Sequence, residues 1–314
     1  MSDYAYVAER ARKAFASVSR LEQALEKSPT DKSLLLNISA MRRLAEQAQA
    51  ELLSLAARNR IEICNYRLIP EQGVGYALPF VSRSYLTYQN LFSQIYDAIR
   101  NGKLKERTVI QREAEYESMM EVGYTYSGSL GVVLLAQSEA DFFEGNLDKP
   151  IEALFQVMDI SDNDSVKDIA GALGPAVVKR VFDWSKVNAQ ARFSADVRWN
   201  RSDGRQLGQV VEHRHMERIV DIIGATSDET TTTIVRQGML VGTDLPSRSF
   251  HFVVPDGDSY KGTFHSDLHL DEVTVAKGKM YDAEIVVVEK YHYATEKTDT
   301  RNMLRKLTPV AATT

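Results

Sequence analysis

The sequence predicts an α+β protein with an N-terminal antiparallel helical hairpin, a central mixed α/β body and a small antiparallel C-terminal β-barrel. Three observations predict this. Residues 1–60 carry apolar side chains at spacings of three and four, the period of one helix face. Residues 61–229 mix helix-like and strand-like segments, whereas residues 230–314 contain short alternating runs separated by turn residues. These three ranges are the predicted domains.

Two long helices are expected at the N-terminus. The first is predicted over residues 4–27, and the second is predicted to begin after Ser28 and to continue to about residue 58. We expect Ser28 to act as the N-cap of the second helix and Pro29 to occupy its first turn. Both helices exceed the mean helix length, so their hairpin has apolar surface to bury, either against the body of its own chain or against a second subunit or partner.

In the central segment, the sequence predicts helices and strands separated by loops that contain glycine and proline. A strand at 61–67 precedes a loop at 68–79 and a helix that ends at Asn101-Gly102. The remaining predicted elements are a β-hairpin at 122–135 that turns at 127–129, helices at 150–158, after Asp162 and after Pro175, a strand at 195–200 and a short helix at 216–223.

Residues 230–314 have a sequence pattern typical of β-strands. Strands are predicted at 231–235 and 239–241 with a break at Gly238, and at 249–254, 260–264, 273–275 and 281–287, before a helical or extended tail at 302–307. Short strands at a spacing of about ten residues favour a small barrel of the OB or SH3-like kind.

Composition places the chain among soluble globular proteins. It has 314 residues, of which 44% are hydrophobic and 26% charged, with a formal net charge of −5. Neither a membrane-length apolar stretch nor a signal sequence is evident, and the single cysteine, Cys64, fits a reducing compartment. We therefore expect a cytoplasmic location and no membrane partner. The basic first 70 residues contrast with the acidic range 111–200.

Familiar catalytic signatures are missing from the sequence. The chain contains no P-loop, no G-x-G-x-x-G after a strand and no G-x-S-x-G elbow. Two histidine pairs resemble metal ligands. However, His213 and His215 flank an arginine in what reads as an extended segment, and His265 and His269 fall in a predicted strand or turn, about 13 Å apart. The prediction is therefore no cofactor and no metal, and the enzyme question stays open with a preference against catalysis.

The functional hypothesis follows from the hairpin. We expect a non-catalytic interaction or scaffold subunit that self-associates, or docks a protein partner, through residues 1–60. Leu44, Leu52 and Leu55 lie on the leucine-rich second helix and are the predicted contact residues. A soluble chain that exposed such a stripe would aggregate, so a second subunit or a partner should cover it.

Two alternatives remain open. One is a hydrolase or nuclease that combines Asp or Glu from the acidic middle with His213 or His215. The other is nucleic-acid binding by the C-terminal barrel, where Arg301, Arg305 and Lys306 supply positive charge and aromatic side chains could stack on bases. The acidic balance of that domain disfavours the second alternative.

Overall fold

The computed structural model describes residues 3–126, 130–138, 145–268 and 278–310. The chain divides into two compact units, one ending at Thr226 and the other beginning at Ser227. The helical hairpin belongs to the first unit. Separate folding of residues 1–60 stays a prediction. Within the described ranges, none of the helices is both long enough and apolar enough to cross a membrane.

The first unit combines helices with one sheet. Its elements are α1 (Asp3–Lys27), α2 (Lys32–Arg58), β1 (Ile61–Pro70), α3 (Leu78–Asn101), α4 (Arg112–Glu117), β2 (Met120–Tyr126), β3 (Leu130–Gln137), α5 (Asp148–Val157), α6 (Asn163–Leu173), α7 (Pro175–Ala191), β4 (Phe193–Asn200), β5 (Gln206–Val211) and α8 (His213–Ala225). The strands pair antiparallel in the order β2-β3-β1-β4-β5. A mixed α and β fold with an N-terminal helix pair is thereby confirmed.

One face of this sheet carries a buried aromatic layer against α3 and α7. The indole Nε1 of Trp184 donates to the Tyr66 hydroxyl at 2.9 Å, and that of Trp199 donates to the Tyr88 hydroxyl at 2.9 Å. Phe92 stacks on Trp199 with ring centroids 5.1 Å apart. A buried indole needs an acceptor for its N–H, so the tyrosine hydroxyls fix the rings as well as filling space.

On the other face, the helix pair packs over β1, β2 and β3. A core cluster joins the base of the pair to the sheet: Val7, Ala11, Ala48, Leu52, Ala56, Ile63, Tyr124 and Val133. Farther along the pair, a smaller cluster of Ala14, Val18 and Ala45 joins the two helices to each other. The distal half of the pair therefore has less core than the base.

The junction of the two helices differs from the prediction. The Ser28 backbone N–H donates to the Ala24 and Leu25 carbonyls and so belongs to the end of α1. The carboxylate of Asp31 accepts from the backbone N–H groups of Ser33 at 2.8 Å and Leu34 at 3.3 Å. The prediction that Ser28 is the N-cap of α2 is therefore wrong. A carboxylate immediately before α2 reaches the free N–H groups of its first turn, which Ser28 lies too far back to reach.

The second unit contains β6 (Ser227–Asp244), β7 (Ser249–Val253), β8 (Ser259–Phe264), β9 (Met280–His292) and β10 (Lys297–Pro309). The pairing order is β10-β8-β7-β6-β9, and β9 also pairs with β10, so the strand pairs form a closed circuit, here called the closed sheet. Its core is the cluster Leu240, Phe250, Phe252, Val254, Phe264, Tyr281, Ala283, Ile285 and Leu304.

Several element predictions in this part need correction. β6 continues through Gly238, where a Cβ atom would come within 2.3 Å of the Val253 carbonyl oxygen, so the glycine permits a close strand approach instead of a break. The tail, for which a helical or an extended conformation was expected, is the extended strand β10. His213 and His215 lie in helix α8, not in an extended segment. The predicted turn at 127–129, His269 and the predicted strand at 273–275 lie outside the described residues.

Candidate functional site

A groove follows one side of the distal helix pair. This hairpin groove has a volume of about 790 Å³ and is lined by Glu22, Leu25, Glu26, Pro29, Leu35, Ile38, Ser39, Arg42, Arg43 and Glu46. A smaller hollow of about 260 Å³ continues it toward the sheet and shares three of these side chains. Leucine, isoleucine and proline form the apolar part, and charged side chains surround them.

The charges around the hairpin groove are divided unevenly between the helices. Glu22 and Glu26 lie on α1, whereas Arg42 and Arg43 lie on α2 together with one acid, Glu46. Arg42 forms an ion pair with Glu22 across the groove, with both side chains more than one-third exposed. Exposed pairs of this kind add little stability, so their main effect is to determine which charges a partner meets.

The three predicted contact residues occupy different environments. Leu52 is 1% exposed in the core beneath α2, and Leu55 is half-buried against the same cluster. Leu44 is 49% exposed. It follows Leu35 by nine residues, and nine steps of about 100° carry it to the opposite side of the helix. The groove therefore contains Leu35 and not Leu44, although both leucines are apolar positions of the predicted second helix.

A second concavity lies where the helix pair stops covering the sheet. This sheet cleft has a volume of about 610 Å³ and is bounded by Phe15 and Gln49 of the helices and by side chains of β1, β4 and β5. Three cross-strand rows form its floor. They are Asn200 and Gln206; Asn65, Arg198 and Gly208; and Arg67, Asp196 and Val210.

A buried carboxylate between two guanidinium groups organises the sheet cleft. Asp196 is 5% exposed, and its carboxylate accepts from Arg67 Nη2 at 2.9 Å and from Arg198 Nε at 2.9 Å. Gly208 lies opposite Arg198, and a Cβ atom there would be 3.3 Å from Arg198 Cγ, so glycine leaves room for the arginine stem. The charged side chains that line the cleft sum to one positive charge.

The residues expected to support catalysis do not converge. His213 Nε2 is 3.8 Å from a carboxylate oxygen of Glu71, whereas His215 Nε2 lies 3.3 Å from the Met158 carbonyl oxygen. His265 contacts Asp267, and its proposed partner His269 lies outside the described residues. In the described ranges, no group of three or more His, Cys, Asp or Glu side chains is placed to hold a metal ion.

Cys64 and Glu62 are buried groups on neighbouring positions of β1. Burial raises the pKa of the Cys64 thiol to about 12, and the sulfur lies 3.2 Å from the Tyr88 hydroxyl oxygen. Glu62 is 1% exposed, and burial raises the pKa of its carboxyl. Ser202 donates to it from both its N–H at 2.9 Å and its hydroxyl at 2.7 Å. Neither group opens onto the hairpin groove or is among the residues lining the sheet cleft.

The cations predicted for nucleic-acid contact lie on β10. Arg301, Arg305 and Lys306 are all exposed. Arg305 forms ion pairs with two acidic side chains. Its Nε is 3.7 Å from Asp267 Oδ2, and its Nη1 is 3.5 Å from Glu284 Oε1. Part of the positive charge is thus neutralised within the closed sheet.

No protein-family description, no curated protein and no solved structure matches this chain.

Proposed function

We propose that this protein is a non-catalytic interaction subunit that self-associates through the hairpin groove, with a second copy of the chain as the occupant. The observation that carries the proposal is an apolar groove with a charged rim on the half of the helix pair that has no sheet to pack against.

The distal pair supports this because its own core is small. The 27 residues of α2 extend about 40 Å, yet only the base of the pair packs on β1, β2 and β3. Alanine and valine side chains fill the distal contact between the helices. They leave larger side chains, among them Leu25 and Leu35, facing the groove. Covering these side chains would remove apolar area from water, at about 25 cal/mol per Å².

Charge arrangement favours a second copy over an unrelated partner. In a two-fold symmetric contact the same surface is used on both sides. The α1 side of the groove carries two acids, whereas the α2 side carries two bases and one acid, Glu46. A two-fold contact that sets α1 of one copy against α2 of the other brings Glu22 and Glu26 toward Arg42 and Arg43, and the net charges of the two sides are then opposite in sign.

Leu35→Glu is the direct test. A charged side chain in the apolar part of the groove should shift the parent dimer or larger assembly toward monomer at micromolar concentration, as measured by light scattering. Leu36→Glu is the matched control, because Leu36 is 73% exposed and does not line the groove. Both variants should melt near the parent temperature, since neither side chain is buried.

Three results would contradict the proposal: a parent protein that is monomeric across the micromolar range, equal dissociation by both substitutions, or no dissociation by Leu35→Glu. Leu44→Glu should resemble the control. Leu52→Glu is unsuitable as an interface variant, because Leu52 is 1% exposed and its replacement would unfold the base of the pair.

The finer assignments belong to the same proposal. A barrel of the OB or SH3-like kind for the second unit is supported by the closed circuit of strand pairs and the single core cluster. A cytoplasmic location is supported by the buried free thiol of Cys64. The hydrolase or nuclease and the nucleic-acid alternatives stay predictions, and no convergent group among the described residues favours them over self-association.

A further inference from the structure

We infer that the sheet cleft is a binding site for a small organic carboxylate, distinct from the self-association surface. The cleft is built by residues far apart in sequence, because Arg67 and Asp196 are separated by 129 positions. Its volume of about 610 Å³ lies within the roughly 300–1,000 Å³ typical of small-molecule sites.

The charge of the cleft selects an anion. One buried carboxylate, Asp196, requires one positive charge to offset it, and the cleft supplies two guanidinium groups. Asp196 accepts one hydrogen bond from each group at 2.9 Å, which keeps both groups beside the cleft. The Nε atom of Arg67 is buried and has no hydrogen-bond acceptor among the described residues. The cleft lining carries one more guanidinium group than carboxylate, which favours an anionic ligand.

The donor set favours a carboxylate over a phosphate. Phosphate sites usually add backbone N–H groups from a helix N-terminus or a glycine-rich loop. The part of the cleft floor formed by β1 and β4 is interior antiparallel sheet, where backbone N–H groups are used in strand pairing, so side chains supply the donors there. The planar guanidinium matches the two oxygens of a carboxylate in a bidentate arrangement.

The remaining lining suits an uncharged organic body attached to that carboxylate. Phe15 and Tyr124 stack with ring centroids 5.8 Å apart and an interplanar angle of 11°, and they form one side of the cleft. Amide side chains of Asn65, Asn200 and Gln206 lie along the floor and offer both donors and acceptors. An aromatic or amino-acid-sized carboxylate would use the guanidinium groups and the aromatic wall together.

Phenylacetate is a suitable probe, with phenylacetamide and inorganic phosphate as comparisons. Binding to the full chain is followed by saturation-transfer NMR and by the dissociation constant from titration. We expect phenylacetate to bind, phenylacetamide to bind about tenfold more weakly or worse through loss of charge-assisted hydrogen bonds, and phosphate to bind more weakly than phenylacetate.

Arg67→Gln should weaken phenylacetate binding about tenfold or more, while Arg83→Gln, which removes an exposed arginine of α3, should leave it unchanged. Because Arg67→Gln also removes a partner of Asp196, a second variant keeps all charges. Val210→Trp places bulk at a 49% exposed position on the cleft floor and should block the probe without unfolding the chain.

Absence of phenylacetate binding, or binding that survives both Arg67→Gln and Val210→Trp, would overturn the site. Stronger binding of phosphate than of phenylacetate would overturn the ligand class. Light scattering on the same variants separates this inference from the proposed self-association, because cleft variants should retain the parent's oligomeric state.

Discussion

Glu62 shows how a single buried acid ties stability to pH. Its carboxyl is 1% exposed and accepts two hydrogen bonds from Ser202, yet burial outweighs these bonds and raises its pKa. The folded state therefore holds the proton more tightly than the unfolded state. The resulting stabilisation is full at low pH and is lost as pH rises through the folded pKa.

Glu62→Gln tests this at the residue scale. Glutamine keeps an acceptor for Ser202 but carries no charge. The free energy of unfolding of the variant should therefore rise relative to that of the parent as pH increases from acid to neutral. Urea unfolding at a series of pH values measures the difference. Glu217→Gln, at an exposed position of α8, should show a much flatter difference. A free energy of unfolding of Glu62→Gln that falls relative to that of the parent as pH rises would contradict the assignment.

The helix pair illustrates the element scale, because its second helix depends on one capping side chain. Hydrogen bonds from the Ser33 hydroxyl and from the Ser33 and Leu34 N–H groups lower the pKa of Asp31. A carboxyl with a lowered folded pKa contributes stability at neutral pH, and that contribution is lost as pH falls through the folded pKa.

Asp31→Ala should therefore lower the helical melting temperature at neutral pH, whereas Ser28→Ala should change it far less. Far-UV circular dichroism on heating compares the two variants. The difference between Asp31→Ala and the parent should shrink in acid, where the parent carboxyl is also protonated. A larger effect from Ser28→Ala than from Asp31→Ala would restore the cap expected from the sequence.

At the scale of the whole molecule, unfolding of the two compact units can be followed by different spectroscopic signals. Both tryptophans of the chain, Trp184 and Trp199, are buried in the first unit. Phe252 is fully buried in the core of the closed sheet, in the second unit. Tryptophan fluorescence thus reports the first unit alone, while circular dichroism reports both.

Phe252→Ala should destabilise the second unit by about 3–5 kcal/mol and leave the fluorescence transition where it is in the parent. Phe92→Ala is the reciprocal control, because Phe92 stacks on Trp199 and its loss should shift the fluorescence transition. Denaturant unfolding followed by both signals measures this. A fluorescence transition that moves with Phe252→Ala would mean that the units unfold together.

Local signals made much of the fold predictable. Spacings of three and four indicated α1 and α2, Gly102 ends α3 in a left-handed conformation as expected, and Asp162 caps α6 with a reciprocal contact to Ser165. β5 was missed because its segment contains two glutamines and a glycine and so lacks the alternation of a half-buried strand. Pairing with β4 makes it a strand, and no short window contains that information.

By itself, the sequence determined the helix pair, the positions of several helix ends and the β character of the last third, because hydrophobic period and capping act within a few residues. Tertiary structure decided which leucine is covered and which is not: Leu52 lies over the sheet, whereas Leu35 faces the groove. It also brought Arg67 to Asp196 across 129 residues of chain. Strand register and core packing join such distant segments, so the chemistry of the sheet cleft exists only in the folded chain.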